Sequence, residues 1–395
     1  MNAASYSAVR FPASSVALPK VALVSIGIGR TQRGYERYFS DLFTVLEGAV
    51  DITLYKSAGE RSVQQRIPPL FGAAALAAKL LPLGTVVGGA EYRYYKHDCV
   101  AYGLSLLPEL LLRRFDVVHV IDYPLMRVME KLQRLVPFPG KLLYTNGCNM
   151  PPHIYPRTAH VHHVAKPLFD DALAWGIPAA RMTLVPCGIR TQRFATPASP
   201  QTLRQKYGVP ENTFVILAVT AVKRMHKRVD HLIEEVSRIP GDDILLWIDG
   251  HAEDPAIPEL ARQKLGARCR ISCVPSGDVG ELYKMADVLV HGSLEESFGL
   301  SIVEALSTGL PVLVHSSAHF AWLVQDSDCL VDMSAQGELA GRLRGLHARR
   351  ADLRRCAELR AATAADRFDW HSLVSAYVDM YRKVGALQLS ARTAG

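Results

Sequence analysis

Residues 293–316 read SLEESFGLSIVEALSTGLPVLVHS, and this stretch decides the fold class of the chain. The apolar run 288–291 before it predicts a strand, its middle predicts a helix, and the run 312–314 predicts a second strand. Gly309 and Pro311 are placed to end that helix, as glycine and proline often do at helix C-termini. A strand, a helix and a strand in this order form a β-α-β unit, which is typical of a parallel sheet covered by helices.

Short apolar runs alternate with helical patterns on both sides of this unit. The predicted strands are 21–26, 117–121, 142–144 and 183–185 in the first half, and 215–219, 244–248, 270–274, 288–291, 312–314 and 330–331 in the second. The rhythm restarts after the polar, proline-bearing stretch 191–205, which predicts a linker between two doubly wound α/β domains. Ligands of such sheets bind beyond the C-terminal ends of the strands, so we expect the domains to face each other across a cleft.

The composition is that of an ordinary globular protein. The chain has 395 residues, of which 49% are apolar and 21% charged, with a formal net charge of +7. This modest positive excess suits anionic partners such as nucleotide phosphates, but it is too dispersed to predict a nucleic-acid surface. The 7 cysteines follow no pairing or zinc-ligand pattern, which predicts reduced thiols in a cytoplasmic protein. Residues 1–19 do not have the pattern of a signal peptide.

The longest apolar stretch, residues 68–90, is interrupted by Lys79, Pro82 and four glycines. A membrane-spanning helix needs about 20 uninterrupted apolar residues, so we interpret this stretch as a buried helix and loop. The tyrosine and basic residues at 92–96 are also compatible with an alternative, a monotopic surface that inserts shallowly among lipid headgroups. We therefore expect membrane contact to be peripheral at most, through residues 71–96.

Two carboxylates and a helix start stand out within residues 293–316. Glu296 precedes the predicted helix, and Glu304 lies on it, where a carboxylate can accept hydrogen bonds from a diol. Unpaired backbone N–H groups make the start of such a helix an anion site. The residues that supply these amides are Ser297, Phe298, Gly299 and Leu300. The alternative is purely structural: Ser301 and Glu304 have the spacing of a capping box, and Glu296 can be a surface carboxylate.

A cationic loop, residues 221–230 (AVKRMHKRVD), follows the predicted strand 215–219. Lysine and arginine at the C-terminal end of a parallel strand supply charge and donors to a leaving diphosphate. A solvated basic loop is the alternative.

Near the N-terminus, Gly27 and Gly29 let a backbone approach a ligand closely. Gln32 occupies the slot of a third glycine, so this loop does not have the dinucleotide fingerprint of a nicotinamide-dependent oxidoreductase.

Residues 293–316 as a whole resemble the E-x7-E signature of retaining glycosyltransferases with the GT-B fold, specifically glycosyltransferase family 4. The resemblance extends over nearly the whole chain. Further segments that resemble the family are 20–37, 116–122, 185–194, 283–293 and 368–370. It implies two Rossmann-like domains: an acceptor-binding domain over 1–192, a nucleotide-sugar-binding domain over 193–368, and a helix over 369–395 that crosses back to the first.

The resemblance also implies roles for the residues of the second domain. Glu304 would bind the ribose hydroxyls, Glu296 would contact hydroxyls of the transferred sugar, and the amides at 298–300 would hold the sugar and the distal phosphate. Lys227 matches the family's diphosphate-binding lysine. The family places an arginine five residues earlier and a glycine directly after; here these positions are Val222 and Arg228, so Lys223 or Arg224 must supply the other cation.

In the first domain the resemblance places Gly27 and Gly29 under the donor phosphate. Many family members carry a histidine after the strand 142–144, where this chain has Thr145, Asn146 and Gly147. Asn146 can hydrogen-bond sugar hydroxyls but does not transfer protons as imidazole does. We assign Asn146 and Lys166 to the acceptor side, and interpret the nearby histidines 160, 162 and 163 as structural.

The sequence thus predicts a glycosyltransferase that moves a hexose from a UDP- or GDP-sugar to a hydroxyl of a glycan, lipid-linked or small-molecule acceptor, with retention of anomeric configuration. We expect neither a cofactor nor a metal ion, because Asp326-Ser327-Asp328 has the pattern of a turn and the cationic loop can stabilise the diphosphate. Two alternatives stay open. One is a non-catalytic nucleotide-sugar-binding protein on the same fold, and the other is a GT-B epimerase or phosphorylase.

Overall fold

The computed structural model describes residues 18–30, 34–69, 71–78, 90–147, 150–353 and 355–393. The chain divides into two compact units. The first unit holds the described residues up to Val164, then Leu168–Gly188, and the chain from Leu373 onward. The second holds Ala165–Pro167 and Ile189–Ser372.

The first unit is built on a parallel sheet whose strand order is β3-β2-β1-β4-β5-β6-β7 in the described residues. The strands are β1 (Lys20–Val24), β2 (Asp51–Tyr55), β3 (Gln65–Arg66), β4 (Val117–Val120), β5 (Lys141–Asn146), β6 (His160–His163) and β7 (Met182–Leu184). The connecting helices are α1 (Gly34–Leu46), α2 (Phe71–Ala78), α3 (Ala90–Arg113), α4 (Tyr123–Leu135) and α5 (Lys166–Ala174). Apart from Lys20 and His119, the residues of β1 and β4 are apolar and fully buried, as in strands covered by helices on both faces.

The second unit has its own parallel sheet, in the order β10-β9-β8-β11-β12-β13. The strands are β8 (Phe214–Val219), β9 (Ile244–Asp249), β10 (Cys269–Ser272), β11 (Val288–Val290), β12 (Val312–His315) and β13 (Leu330–Val331). The helices are α6 (Pro200–Lys206), α7 (Val229–Ser237), α8 (Ala256–Lys264), α9 (Val279–Met285), α10 (Leu300–Ser307), α11 (Ala318–Val324), α12 (Glu338–Ala348) and α13 (Ala357–Phe368). The prediction of two doubly wound parallel α/β sheets is confirmed.

The last helix, α14 (Trp370–Thr393), supplies residues to the first unit from Leu373 onward. Its Tyr381 hydroxyl lies 2.8 Å from Nδ1 of His119, and Nε2 of His119 lies 2.6 Å from the hydroxyl of Thr145. The Thr145 hydroxyl also lies 3.0 Å from Nδ1 of His162. These side chains are buried, so the hydrogen bonds satisfy polar groups that would otherwise destabilise the core.

Two details differ from the sequence-based expectations. Strands β2, β3 and β6 are not among the predicted strand ranges. In β2 the apolar residues Ile52 and Leu54 alternate with Asp51 and Thr53 and form no continuous run. The predicted linker 191–205 lies within the second unit, where the hydroxyl of Thr191 donates to Asp369 at 2.5 Å. The main body of the second unit begins at Ile189, directly after Gly188 of the first unit, and the chain returns to the first unit at Leu373.

The predicted buried helix and loop at 68–90 falls partly outside the described residues, which omit 70 and 79–89. Helix α2 buries Phe71, which packs against Tyr102 with the ring centroids 5.0 Å apart. Leu76 on the same helix is 70% exposed, so this helix is not buried along its whole length. None of the described helices combines the length and the apolar character needed to cross a bilayer.

Candidate functional site

The candidate site lies in the second unit, at the C-terminal ends of strands β8 and β11. These strands are neighbours in the sheet and run parallel, with Val288 paired to Ile216. The loop after β8 carries the cationic residues, and the loop after β11 carries Glu296. Because the C-terminal ends of parallel strands share one edge of a sheet, the two loops meet although they are far apart in the chain.

Glu296 is at the centre of this meeting point. One of its carboxylate oxygens, Oε1, accepts hydrogen bonds from Nζ of Lys227, from Nε2 of His291 at 2.8 Å and from Oγ of Ser293 at 2.9 Å. The Glu296 side chain is 14% exposed and that of His291 only 5%. Burial by itself would raise the pKa of Glu296, but the hydrogen bond and charge of His291 and the charge of Lys227 outweigh it. The pKa is therefore lowered, and Glu296 is an ionised acceptor.

The two other predicted cations lie in a different set of contacts. Nζ of Lys223 is 2.8 Å from Oε2 of Glu253, and Nε of Arg224 is 3.3 Å from Oδ2 of Asp254. Both carboxylates belong to the loop after β9. Val222, at the family's arginine position, is fully buried in the core, so its side chain cannot reach a phosphate. Of the predicted cations, the structure thus brings Lys227 to Glu296, and it places Lys223 and Arg224 beside the β9 loop.

Arg228 takes a backbone conformation that favours glycine. Its φ is 48°, in the left-handed region, and His226 in the same loop has φ 65°. This explains physically why glycine suits the position, since side chains destabilise left-handed backbone. The Arg228 side chain compensates with a hydrogen bond from Nη1 to the carbonyl of Met333 at 2.6 Å. It thereby ties the cationic loop to the segment that follows β13.

Helix α10 begins directly after the acidic loop. Gly299 is its N-cap residue with φ 98°, and the amides of Ile302 and Val303 bond to the Gly299 carbonyl at 3.0 and 3.2 Å. Ser301 is therefore not the capping residue, and the structural alternative of a capping box at Ser301 is wrong. The preceding Phe298 is buried, and its carbonyl lies 3.1 Å from Nε2 of His319. The amides at Ser297, Phe298, Gly299 and Leu300 thus lie where the sequence placed them, at the start of a helix.

Glu304 is on α10, about one turn from its start. Its side chain is buried, and Oε2 accepts a hydrogen bond from the hydroxyl of Tyr283 at 2.9 Å. Tyr283 lies on α9 and packs against Phe194, with the ring centroids 5.8 Å apart. Glu304 is thus a buried carboxylate, positioned by the Tyr283 hydroxyl, and not a surface residue.

Gly27 and Gly29 lie in close packing within the first unit, Gly27 against the flexible side chain of Glu36 and Gly29 against the backbone of Ala58. A Cβ atom at Gly27 would lie 2.3 Å from Oε1 of Glu36, and one at Gly29 would lie 2.2 Å from the carbonyl oxygen of Ala58. Gly29 also has φ 88°. Both positions follow β1 at the C-terminal edge of its sheet, and residues 31–33 of this loop are outside the described residues.

The two acceptor-side candidates belong to different units. Asn146 ends β5 in the first unit and is buried, with Nδ2 3.4 Å from Nδ1 of His163. Lys166 begins α5, is exposed, and is grouped with the second unit. Burial lowers the pKa of His160 and His162 to about 4 and that of His163 to about 3, so these side chains are neutral near pH 7.

Three residues at the site were given no role by the sequence. His291, Ser293 and Tyr283 all lie in the segment 283–293 that resembles the family, but only the tertiary contacts identify His291 and Ser293 as partners of Glu296, and Tyr283 as a partner of Glu304. Asp326, by contrast, uses its carboxylate to cap its own turn, accepting from the amide of Asp328 at 2.9 Å.

Comparison with known proteins shows that the region holding this site is similar to a known family. Residues 199–360 match the family model described as Glycosyl transferases group 1. The matched range lies within the second unit, which is therefore similar to this family. The matched residues include Lys227, Glu296 and Glu304.

Two curated relatives that this chain resembles are named as a glucosyltransferase and a glycosyltransferase. The chain is 31% identical over 156 residues to lipopolysaccharide glucosyltransferase WaaG of Escherichia coli (strain K12), covering 38% of this chain and 41% of that protein. It is 30% identical over 228 residues to D-inositol 3-phosphate glycosyltransferase of Xylanimonas cellulosilytica, covering 54% of each. The chain spans about half the length of the curated relatives that it matches.

Solved structures extend the likeness to both units. Sucrose-phosphate synthase from Thermosynechococcus elongatus is 18% identical, with a TM-score of 0.75, over 93% of this chain and all of that one. The WaaG crystal structure is also 18% identical, with a TM-score of 0.67, over 91% of this chain and 99% of that one. At this identity the likeness concerns the fold alone, and it confirms the GT-B fold class.

Proposed function

We propose that the chain is a retaining glycosyltransferase that moves a hexose from a UDP- or GDP-sugar to a hydroxyl of a glycan, lipid-linked or small-molecule acceptor. The observation that carries this proposal is the contact between Lys227 and the ionised Glu296 beside the start of α10. A cation, a charged acceptor and free helix amides at one sheet edge suit a sugar diphosphate. A solved structural neighbour, Anabaena HepE, has been crystallised in complex with UDP-glucose.

In this proposal each group has a separate task. Glu304 accepts hydrogen bonds from the ribose hydroxyls, and Glu296 accepts from hydroxyls of the transferred sugar. Lys227, with Lys223 or Arg224, faces the diphosphate. The amides at the start of α10 hold the sugar and the distal phosphate, because their N–H groups and the helix dipole favour negative charge.

The reaction breaks the bond between the anomeric carbon and the β-phosphate oxygen. The electron pair leaves with the phosphate, whose growing negative charge Lys227 and the α10 amides stabilise. The acceptor oxygen attacks the same face of the sugar, and its proton passes to the departing phosphate oxygen. This route requires no metal ion, and it yields retention of configuration.

A screen of nucleotide sugars tests the proposal. Ligands that bind the folded state raise its melting temperature by mass action. The donors that do so are then tested for turnover, and the anomeric configuration of the product is read by NMR. Binding without turnover would instead support the non-catalytic binding protein, and an isomerised sugar or a phosphorolysis product would support the epimerase or phosphorylase. An inverted product would overturn the retaining mechanism.

The location of the protein is part of the same proposal. We infer a cytoplasmic protein whose membrane contact, if it acts on a lipid-linked acceptor, is peripheral and made by the first unit near α2.

A further inference from the structure

The contacts of Lys227 raise a question about the proposed function. Its ammonium is bonded to Glu296, while the proposed chemistry requires the same ammonium at the diphosphate. Glu296 is largely buried, and a buried carboxylate that loses its cation is costly unless other donors replace it. Donor binding is therefore favourable only if Glu296 keeps partners when Lys227 moves.

His291 and Ser293 are placed to be those partners. Nε2 of His291 and Oγ of Ser293 lie 2.8 and 2.9 Å from Oε1 of Glu296, the same oxygen that Lys227 reaches. Both side chains are buried and belong to the segment directly after β11, so they are held by the sheet and not by the side chain of Lys227. Within the part of the chain that the structure describes, none of the three donors reaches Oε2, which leaves that oxygen for a sugar hydroxyl.

We propose that His291, assisted by Ser293, is a positioning residue that holds Glu296 when Lys227 transfers from this carboxylate to the donor diphosphate. This inference rests on the proposed function. It adds to it an exchange of partners: the diphosphate takes the lysine, and the histidine and serine keep Glu296 ionised and oriented with Oε2 toward the sugar. His291 itself contacts neither the sugar nor the diphosphate.

A double-mutant cycle on the full chain tests the exchange. UDP, GDP and ADP are titrated by calorimetry, and the tightest binder is used with His291→Leu, Glu296→Gln and the double variant. Without His291, releasing Lys227 leaves the carboxylate short of donors, so we expect His291→Leu to weaken nucleoside diphosphate binding by about fivefold or more. In the Glu296→Gln background the side chain is neutral and needs no cation, so we expect His291→Leu to change affinity by less than about twofold.

Conservative variants separate positioning from packing. The amide nitrogen of glutamine can take the place of Nε2, so His291→Gln should restore affinity to within about threefold of the wild-type value. Ser293→Ala should weaken binding in the same direction by a smaller factor, and it serves in place of His291→Leu if that variant does not fold.

The outcomes distinguish this inference from the proposed function. An equal loss of affinity from His291→Leu in both backgrounds would mean that the histidine only packs, and would overturn the inference alone. A wild-type chain that binds none of the three nucleoside diphosphates would overturn the proposed donor class, and the inference with it.

Discussion

The hydroxyl of Tyr283 on α9 donates a hydrogen bond to Oε2 of Glu304 on α10 over 2.9 Å. Both side chains are almost completely buried. The Glu304 carboxylate, which is proposed to bind ribose, is therefore positioned by a residue of α9, the helix that comes before β11 and α10 in the chain. This contact makes the ribose assignment testable with two matched variants.

Glu304→Ala should weaken donor binding, because hydrogen bonds to a charged acceptor contribute about 1.5–3 kcal/mol each. Tyr283→Phe removes only the hydroxyl, so it should weaken donor binding by less, mainly by loosening the carboxylate. Calorimetric titration of the cognate donor measures both. Unchanged donor affinity in a folded Glu304→Ala protein would disprove the ribose assignment.

Lys227→Ala should lower kcat and not merely raise KM. The ammonium is proposed to face a charge that grows as the glycosidic bond breaks, so its contact strengthens in the transition state. Loss of one preorganised charge donor typically costs on the order of 100- to 1000-fold in kcat. Steady-state kinetics at saturating donor measure this, with Arg228→Ala in parallel. Near-wild-type kcat in Lys227→Ala would refute the role, and a collapse in Arg228→Ala alone would assign it to the neighbouring residue.

Arg228 offers a stability prediction that is independent of activity. Its φ of 48° favours glycine over alanine, while both substitutions lose the hydrogen bond to the Met333 carbonyl. Arg228→Gly should therefore be more stable than Arg228→Ala by about 1 kcal/mol. Urea unfolding of the two variants measures the difference. Equal or reversed stabilities would show that the loop relaxes out of the left-handed conformation.

The buried histidines of β6 predict a loss of stability in mild acid. Burial lowers the pKa of His162 to about 4, whereas in the unfolded chain it has the ordinary value near 6.5. Above pH 6.5 neither state binds the proton, so the stabilisation is fully present. As the pH falls from 6.5 to 4 the unfolded chain takes up protons that the folded chain does not, and the free energy of unfolding decreases.

Urea unfolding at pH 7.5, 5.5 and 4.5 measures this dependence, and His162→Gln provides the comparison. The variant should be less stable at pH 7.5, because it disturbs the contacts with Thr145 and the Val185 carbonyl, but its stability should fall less steeply with acid. A variant with the wild-type slope would assign the acid sensitivity to other groups.

Membrane contact, where it occurs, should be reversible by salt. None of the described helices can cross a bilayer, and the chain carries a net charge of +7. Attraction to anionic lipids is screened within about 10 Å at 0.1 M salt. Sedimentation with anionic vesicles at low and high salt measures the binding. Binding that only detergent reverses would contradict a peripheral contact.

The local sequence determined the parallel α/β class and most of the strands. Continuous apolar runs such as 215–219 and 312–314 can be recognised in the sequence as strands, because strands buried on both faces carry apolar residues at nearly every position. Strand β2 was missed because Asp51 and Thr53 interrupt its pattern. The residues at the start of α10 were also readable, since they lie next to one another in the chain.

Only the tertiary structure decided which of these residues meet. Lys227 and Glu296 are 69 positions apart, and they touch because β8 and β11 are neighbours in a sheet whose order differs from the chain order. His291 precedes Glu296 by 5 positions, and its hydrogen bond to the carboxylate depends on how the loop after β11 turns. Such contacts follow from strand order and loop geometry, which residue spacing does not encode, whereas periodicity does encode the strands and helices themselves.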